Sequence, residues 1–205
     1  MKRIITIILL LTISLSAAEL TDYQKNYLKS FVLEEKKSYS KAIEELVKIY
    51  PKYQYDYELN LRLGWLYYQN RENKKSIIYL KKTMLINENA IEPLNMILLP
   101  LTSLKNLKDA KKYSSIVIKK SPANYYAHLR IAYLYYILKK YDKALYHYNV
   151  LNSFYPSDTS TKLGMAATLL KLKKYDKARG FYISILKVSP YHQIAYNGYL
   201  ATFKK

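Results

Sequence analysis

The side chains best suited to proton transfer or metal ligation near neutral pH are three histidines, His128, His147 and His192. No two of them have the short spacing of a helical metal pair. The chain has no cysteine, which removes disulfides, thiolate zinc sites and a Cys nucleophile together. It also lacks a glycine-rich phosphate loop, a nucleophile elbow and the His-Glu motif of a metalloprotease. Two pairs of adjacent carboxylates, Glu34 with Glu35 and Glu44 with Glu45, read as a solvated face rather than as acid-base machinery. Catalysis is not expected from this chain, and neither a cofactor nor a metal is implied.

What the sequence does offer is binding chemistry. Of its 205 residues half are apolar and 25 are tyrosine, and the formal net charge is +19. Lys, Tyr, Ile and Asn are also what an AT-rich coding sequence writes, so position informs more than count. The densest cationic stretch, Lys171, Lys173, Lys174, Lys177 and Arg179 around the single acid Asp176, could draw an anionic polymer. Most other lysines recur at regular phase, as solvated helix surfaces do. A nucleic-acid partner is therefore not expected.

The elements that must position these groups begin after an export signal. Met1-Lys2-Arg3, the apolar run Ile4 to Leu15 and the small residues Ser16-Ala17-Ala18 have the layout of a secretory signal peptide spanning residues 1–18, with cleavage after Ala18. The apolar run is shorter than the roughly 20 residues a bilayer-crossing helix requires, so no membrane span is expected after cleavage. Periplasm or exterior is the expected location.

Beyond a short segment at 19–22, the chain repeats itself. Lys139-Lys140-Tyr141-Asp142-Lys143-Ala144 recurs letter for letter at Lys173 to Ala178, a step of 34. Pro122, Pro156 and Pro190 keep the same step, and small residues fall on it five times at Ala42, Ser76, Ala110, Ala144 and Ala178. Four and seven residues after each anchor stand mainly apolar residues, such as Leu46 and Ile49, on one stripe of a helix. Twelve before it lie Ser30, Gly64, Leu98, Ala132 and Ala166, on a second helix whose mostly small residues let the two axes approach closely. Lys37, Arg71, Lys105, Lys139 and Lys173 form a basic column at the end of each first helix, complementing the helix macrodipole. Pro100 falls inside the first helix of the third unit and should kink or shorten it.

Leu63-Gly64-x-x-Tyr67, the Tyr-x-x-Ala anchors at Tyr39, Tyr141 and Tyr175, and the closing prolines resemble the tetratricopeptide repeat, a 34-residue helix-turn-helix unit. The resemblance implies an all-α, right-handed α-solenoid of five repeats (23–56, 57–90, 91–124, 125–158 and 159–192) with a capping helix over 193–205, eleven helices in all. A second stripe faces away from the packing columns: Tyr27, Leu61 and Leu129; Phe31, Trp65 and Tyr133; Tyr68 and Tyr136. In the family this face lines the concave groove, so these residues, edged by Arg62 and Arg130, are the candidate site. Exposed aromatics beside arginine have the composition of binding hot spots. The implied function is a non-enzymatic exported scaffold that binds a peptide or partner protein of the cell envelope, acidic or polar groups of the ligand answering Arg62 and Arg130. The Lys and Asn clamp with which some family members grip a peptide carboxylate is missing from this face. The second reading is a self-assembling homo-oligomer; a third is capture of an anionic envelope polymer by the lysines.

Overall fold

The computed structural model describes residues 20–203, so the leader read at 1–18 and the final two lysines lie outside the described residues. The described residues form twelve α-helices: α1 (Asp22–Glu35), α2 (Tyr39–Tyr53), α3 (Tyr57–Gln69), α4 (Asn73–Ile86), α5 (Glu92–Met96), α6 (Leu98–Ser103), α7 (Leu107–Lys120), α8 (Tyr125–Ile137), α9 (Tyr141–Phe154), α10 (Thr159–Lys171), α11 (Tyr175–Val188) and α12 (Gln193–Ala201). The twelfth arises because the first helix of the third unit is two pieces joined at Ile97. Pro100 has no N–H to offer the carbonyl four residues back, that of Met96, and the helix parts beside that carbonyl.

Helix starts follow from capping. Thr21, Asp56, Asn124, Asp158 and His192 each accept the backbone N–H three residues on, which satisfies a donor the helix itself cannot. The 34-residue step between Asp56 and Asn124 falls on Ala90, one residue ahead of the Ile91 N-cap of α5, where no side chain caps the helix. The first helix of the third unit thus lacks a side-chain cap and carries the break, while Asn106 caps its second helix by accepting the Asp109 N–H.

The turns within each unit give the basic column a different role from the one its sequence position suggests. Lys37, Arg71, Lys105, Lys139 and Lys173 all have left-handed backbone, with φ between 53° and 63°. Around Lys37, its own N–H bonds Glu34 O and the N–H of Ser38 bonds Leu33 O; the same double closure recurs at the other four positions. Glycine is the usual occupant here, and a side-chain-bearing residue costs on the order of 1 kcal/mol. The cation beside the helix C-terminus offsets only part of that.

The anchor columns pack as their sizes require. All five anchors are buried, and the Ser76 hydroxyl donates to Gly64 O at 2.7 Å across the α3–α4 contact. A Cβ at Gly64 would stand 2.7 Å from Leu80, so that approach needs a glycine. Each unit pairs its two helices, and its second helix packs on the next unit. The core is accordingly three successive apolar clusters along the array, with no single centre.

Candidate functional site

The first helices of successive units stand side by side, with α6 against α8, α8 against α10 and α10 against α12. Four pockets run along their shared face. The first, about 350 Å³, is bordered by Tyr27, Phe31, Leu61, Arg62 and Trp65. Trp65 continues into the second, about 740 Å³, with Tyr68, Met96, Leu99 and Arg130. Tyr68, Leu99 and Arg130 pass to a third of about 450 Å³, and Arg130 with Tyr133 to a fourth of about 390 Å³ that adds Leu129, Tyr136 and Leu163. All ten candidate residues therefore border this run of four pockets, each sharing lining residues with the next.

Their accessibility differs. Phe31 and Tyr133 are 44% and 48% exposed. Tyr27, Trp65, Tyr68, Leu129, Arg130 and Tyr136 are half-buried. Leu61 and Arg62 are buried, at 6% and 7%. Burial raises the phenol pKa of Tyr27 and of Tyr136, so both remain neutral donors at physiological pH.

Arg62 is not a free edge cation, and this corrects the expectation from sequence. Its Nε donates to Ser30 Oγ at 2.7 Å, its guanidinium lies 3.2 Å from the centre of the Phe31 ring, and Nη2 is 3.0 Å from Glu34 Oε2. That last contact is an ion pair without hydrogen-bond alignment, since Nη2 has no hydrogen-bond partner. Burial is the main influence on Arg62 and lowers its pKa, against the Glu34 carboxylate, which raises it. Trp65 Nε1 donates to the other oxygen of Glu34, which fixes the indole ring. Glu34 is therefore the internal counter-ion of the groove rather than part of a solvated face. Glu45 likewise is buried, and hydrogen bonds from Lys48 and Lys29 hold its carboxyl below the usual range.

Two groove residues escape the sequence reading. Tyr148 and Tyr182 belong to the packing column four after the anchors, yet both border the fourth pocket. They reach it over Gly164 and Gly198, where a Cβ would come within 2.3 Å of their rings. Burial pushes the Tyr182 hydroxyl up to about 12 and that of Tyr148 higher still. The legible signal was a glycine sixteen residues after each tyrosine, repeated at the 34-residue step.

Behind the groove the fold also joins two histidines that the sequence kept apart. His128 Nδ1 and His147 Nδ1 are 3.1 Å apart, and His128 Nε2 is 3.1 Å from Pro122 O. A carbonyl only accepts, so neutral His128 donates through Nε2 and receives the His147 Nδ1–H at Nδ1. Among the described residues no group of three or more His, Cys, Asp or Glu side chains could hold a metal ion.

Paired helices stacked at a 34-residue step, five double-bonded left-handed turns and a groove along the first helices define a tetratricopeptide-repeat solenoid, and the chain has that fold. Solved structures agree. A tetratricopeptide repeat protein from Parabacteroides merdae superimposes with a TM-score of 0.76 at 18% identity, over 89% of this chain and 73% of that one. MamA from Desulfovibrio magneticus gives 0.73 at 12% identity, over 85% and 99%. YrrB, a tetratricopeptide protein with an unusual peptide-binding site, gives 0.64 at 14%, over 85% and 90%. No protein-family model matches the chain, and no curated protein matches it in sequence.

Proposed function

We propose that this protein is a non-enzymatic scaffold, exported to the cell envelope, that holds a partner protein or peptide in the groove formed by its first helices. The observation that carries this reading is the continuity of four pockets past aromatic side chains that neighbouring units leave uncovered, with Phe31 and Tyr133 close to half exposed. Apolar rings with a polar edge, held on rigid helices, bind with little loss of side-chain freedom. The peptide-binding site of YrrB on the same fold supports this use of the architecture. Export rests on the leader at residues 1–18, and among the described residues no helix is long and apolar enough to cross a membrane.

The test is crosslinking in the native cells followed by recovery of partners, comparing the parent with Tyr133→Ala and with Trp65→Ala combined with Tyr133→Ala. Helical content is verified for each, since Trp65 also orients Glu34. Loss of the parent's partners supports the groove. Recovery of the same partners by the double variant sinks it.

A second reading, self-assembly, is favoured by one observation. Helix α12 leaves Ile194, Tyr196 and Leu200 exposed, and Tyr191 and Phe203 beside it, where a terminal helix ordinarily turns a polar face outward. Light scattering separates the two: a concentration-independent monomer favours the scaffold, a stable oligomer the assembly. In the fifth-unit cationic cluster Arg179 is engaged, bonding Asp176 and Thr202 and stacking on Phe203, while Lys171, Lys173, Lys174 and Lys177 are exposed.

A further inference from the structure

Arg62 and Arg130 stand two repeats apart in the same column, yet their surroundings differ. Arg62 is met by Ser30, Phe31 and Glu34, with Trp65 donating to the same carboxylate. Moving each partner on by two periods lands on Leu98, Leu99, Thr102 and Tyr133. The aromatic position is kept and the apolar wall is kept, but the carboxylate has become a threonine. The Thr102 hydroxyl is already committed to Leu98 O at 2.6 Å. Among the described residues no carboxylate lies within ion-pair distance of Arg130.

The space is nonetheless there. The pocket of about 450 Å³ next to Arg130 is bordered by Leu99, Thr102, Lys105 and Tyr133 among others, and its lining holds two cations and no acid. A guanidinium on a half-buried wall gains most from a partner of opposite charge that also excludes water.

We propose that this pocket is a carboxylate subsite, and that a glutamate side chain of the bound partner fills it in the place Glu34 takes two repeats earlier. The inference rests on the groove reading above and names the chemistry of its ligand at one point. A side chain, rather than a chain terminus, is the occupant because the internal group it replaces is a glutamate. Leu99 and Tyr133 offer its methylenes the apolar contact that Phe31 and Trp65 offer around Arg62. The strongly positive net charge, which loss of Lys2 and Arg3 with the leader leaves largely intact, steers an acidic partner toward the protein in the first place.

The probes are two pools of acetylated, C-terminally amidated dodecapeptides, one with a central Glu and the other with Gln. The remaining positions are drawn from Leu, Ile, Phe, Tyr, Ser and Ala. A third pool keeps the Gln and carries a free terminal carboxylate. Binding is measured by fluorescence anisotropy with the protein and with Arg130→Gln and Thr102→Glu. The Glu pool should bind about tenfold tighter than the Gln pool, the worth of one charge-assisted contact. That preference should vanish in Arg130→Gln, and also in Thr102→Glu, which supplies its own carboxylate. Should Thr102→Glu fail to fold, Arg130→Gln decides alone. Equal binding of the Glu and Gln pools overturns the subsite and leaves the groove standing. A stronger response to the free-carboxylate pool than to Glu also overturns it, in favour of a chain terminus. No binding by any pool brings down the groove reading and the subsite with it.

Discussion

The Tyr23 hydroxyl donates to Asp56 Oδ1 at 3.0 Å, and three units further on Tyr125 makes the same bond to Asp158 at 3.2 Å. In each pair the aspartate also caps its own helix, accepting the N–H of Leu59 or Thr161. One carboxylate therefore starts a helix and ties it to the first helix of the unit before. Asp56→Ala should destabilise the protein by about 1–2 kcal/mol, the sum of a lost cap and a lost charged hydrogen bond. Urea denaturation checks it. In a double-mutant cycle with Tyr23→Phe the two losses should fall short of additive, because the variants share one bond.

Acid should loosen the fourth unit first. Burial depresses the pKa of both members of the His128–His147 pair below the ordinary 6.5, that of His147 to about 4. A group whose folded pKa lies below its unfolded value adds stability that is complete above the unfolded value and is lost as pH falls through the folded one. The window is therefore from about pH 6.5 down to about pH 4. Thermal melts of the parent should decline across it, and His147→Gln should flatten the decline; an unchanged slope in that variant would refute the assignment.

Two glycines should respond to alanine with opposite signs. Gly180 lies in α11 with nothing near its missing Cβ, so Gly180→Ala should stabilise by about 0.5–1 kcal/mol through helix propensity alone. Gly164 lies in α10 beneath the Tyr148 ring, and Gly164→Ala should destabilise by about 1–2 kcal/mol as that ring is driven into the groove. Denaturant midpoints measure both, and tyrosine fluorescence should change only for the second.

At Lys139 the backbone has φ of 59°, which glycine adopts without strain. Lys139→Gly should raise stability by a few tenths of a kcal/mol to about 1 kcal/mol, since relief of strain exceeds the added freedom of the unfolded chain. A lower denaturation midpoint would show that the lysine side chain supplies more than its backbone costs.

The repeat, its helix pairs and the small contact columns could all be read from the chain. Each depends on residues within one 34-residue unit or on the same position in the next, and packing repeats wherever the residues do. The break at Pro100 was legible for the same local reason, an absent N–H. The left-handed turns were less so: no glycine marks them, and a lysine column is equally consistent with helix-end electrostatics. What only the tertiary structure decided are meetings between side chains of different helices, whose distances depend on the angle and offset of the axes. That is why Arg62 proved to be spoken for by Glu34 while Arg130, in the same column, was left unmatched. It is also why two histidines nineteen residues apart came within 3.1 Å of each other, and why two packing tyrosines crossed over glycines into the groove.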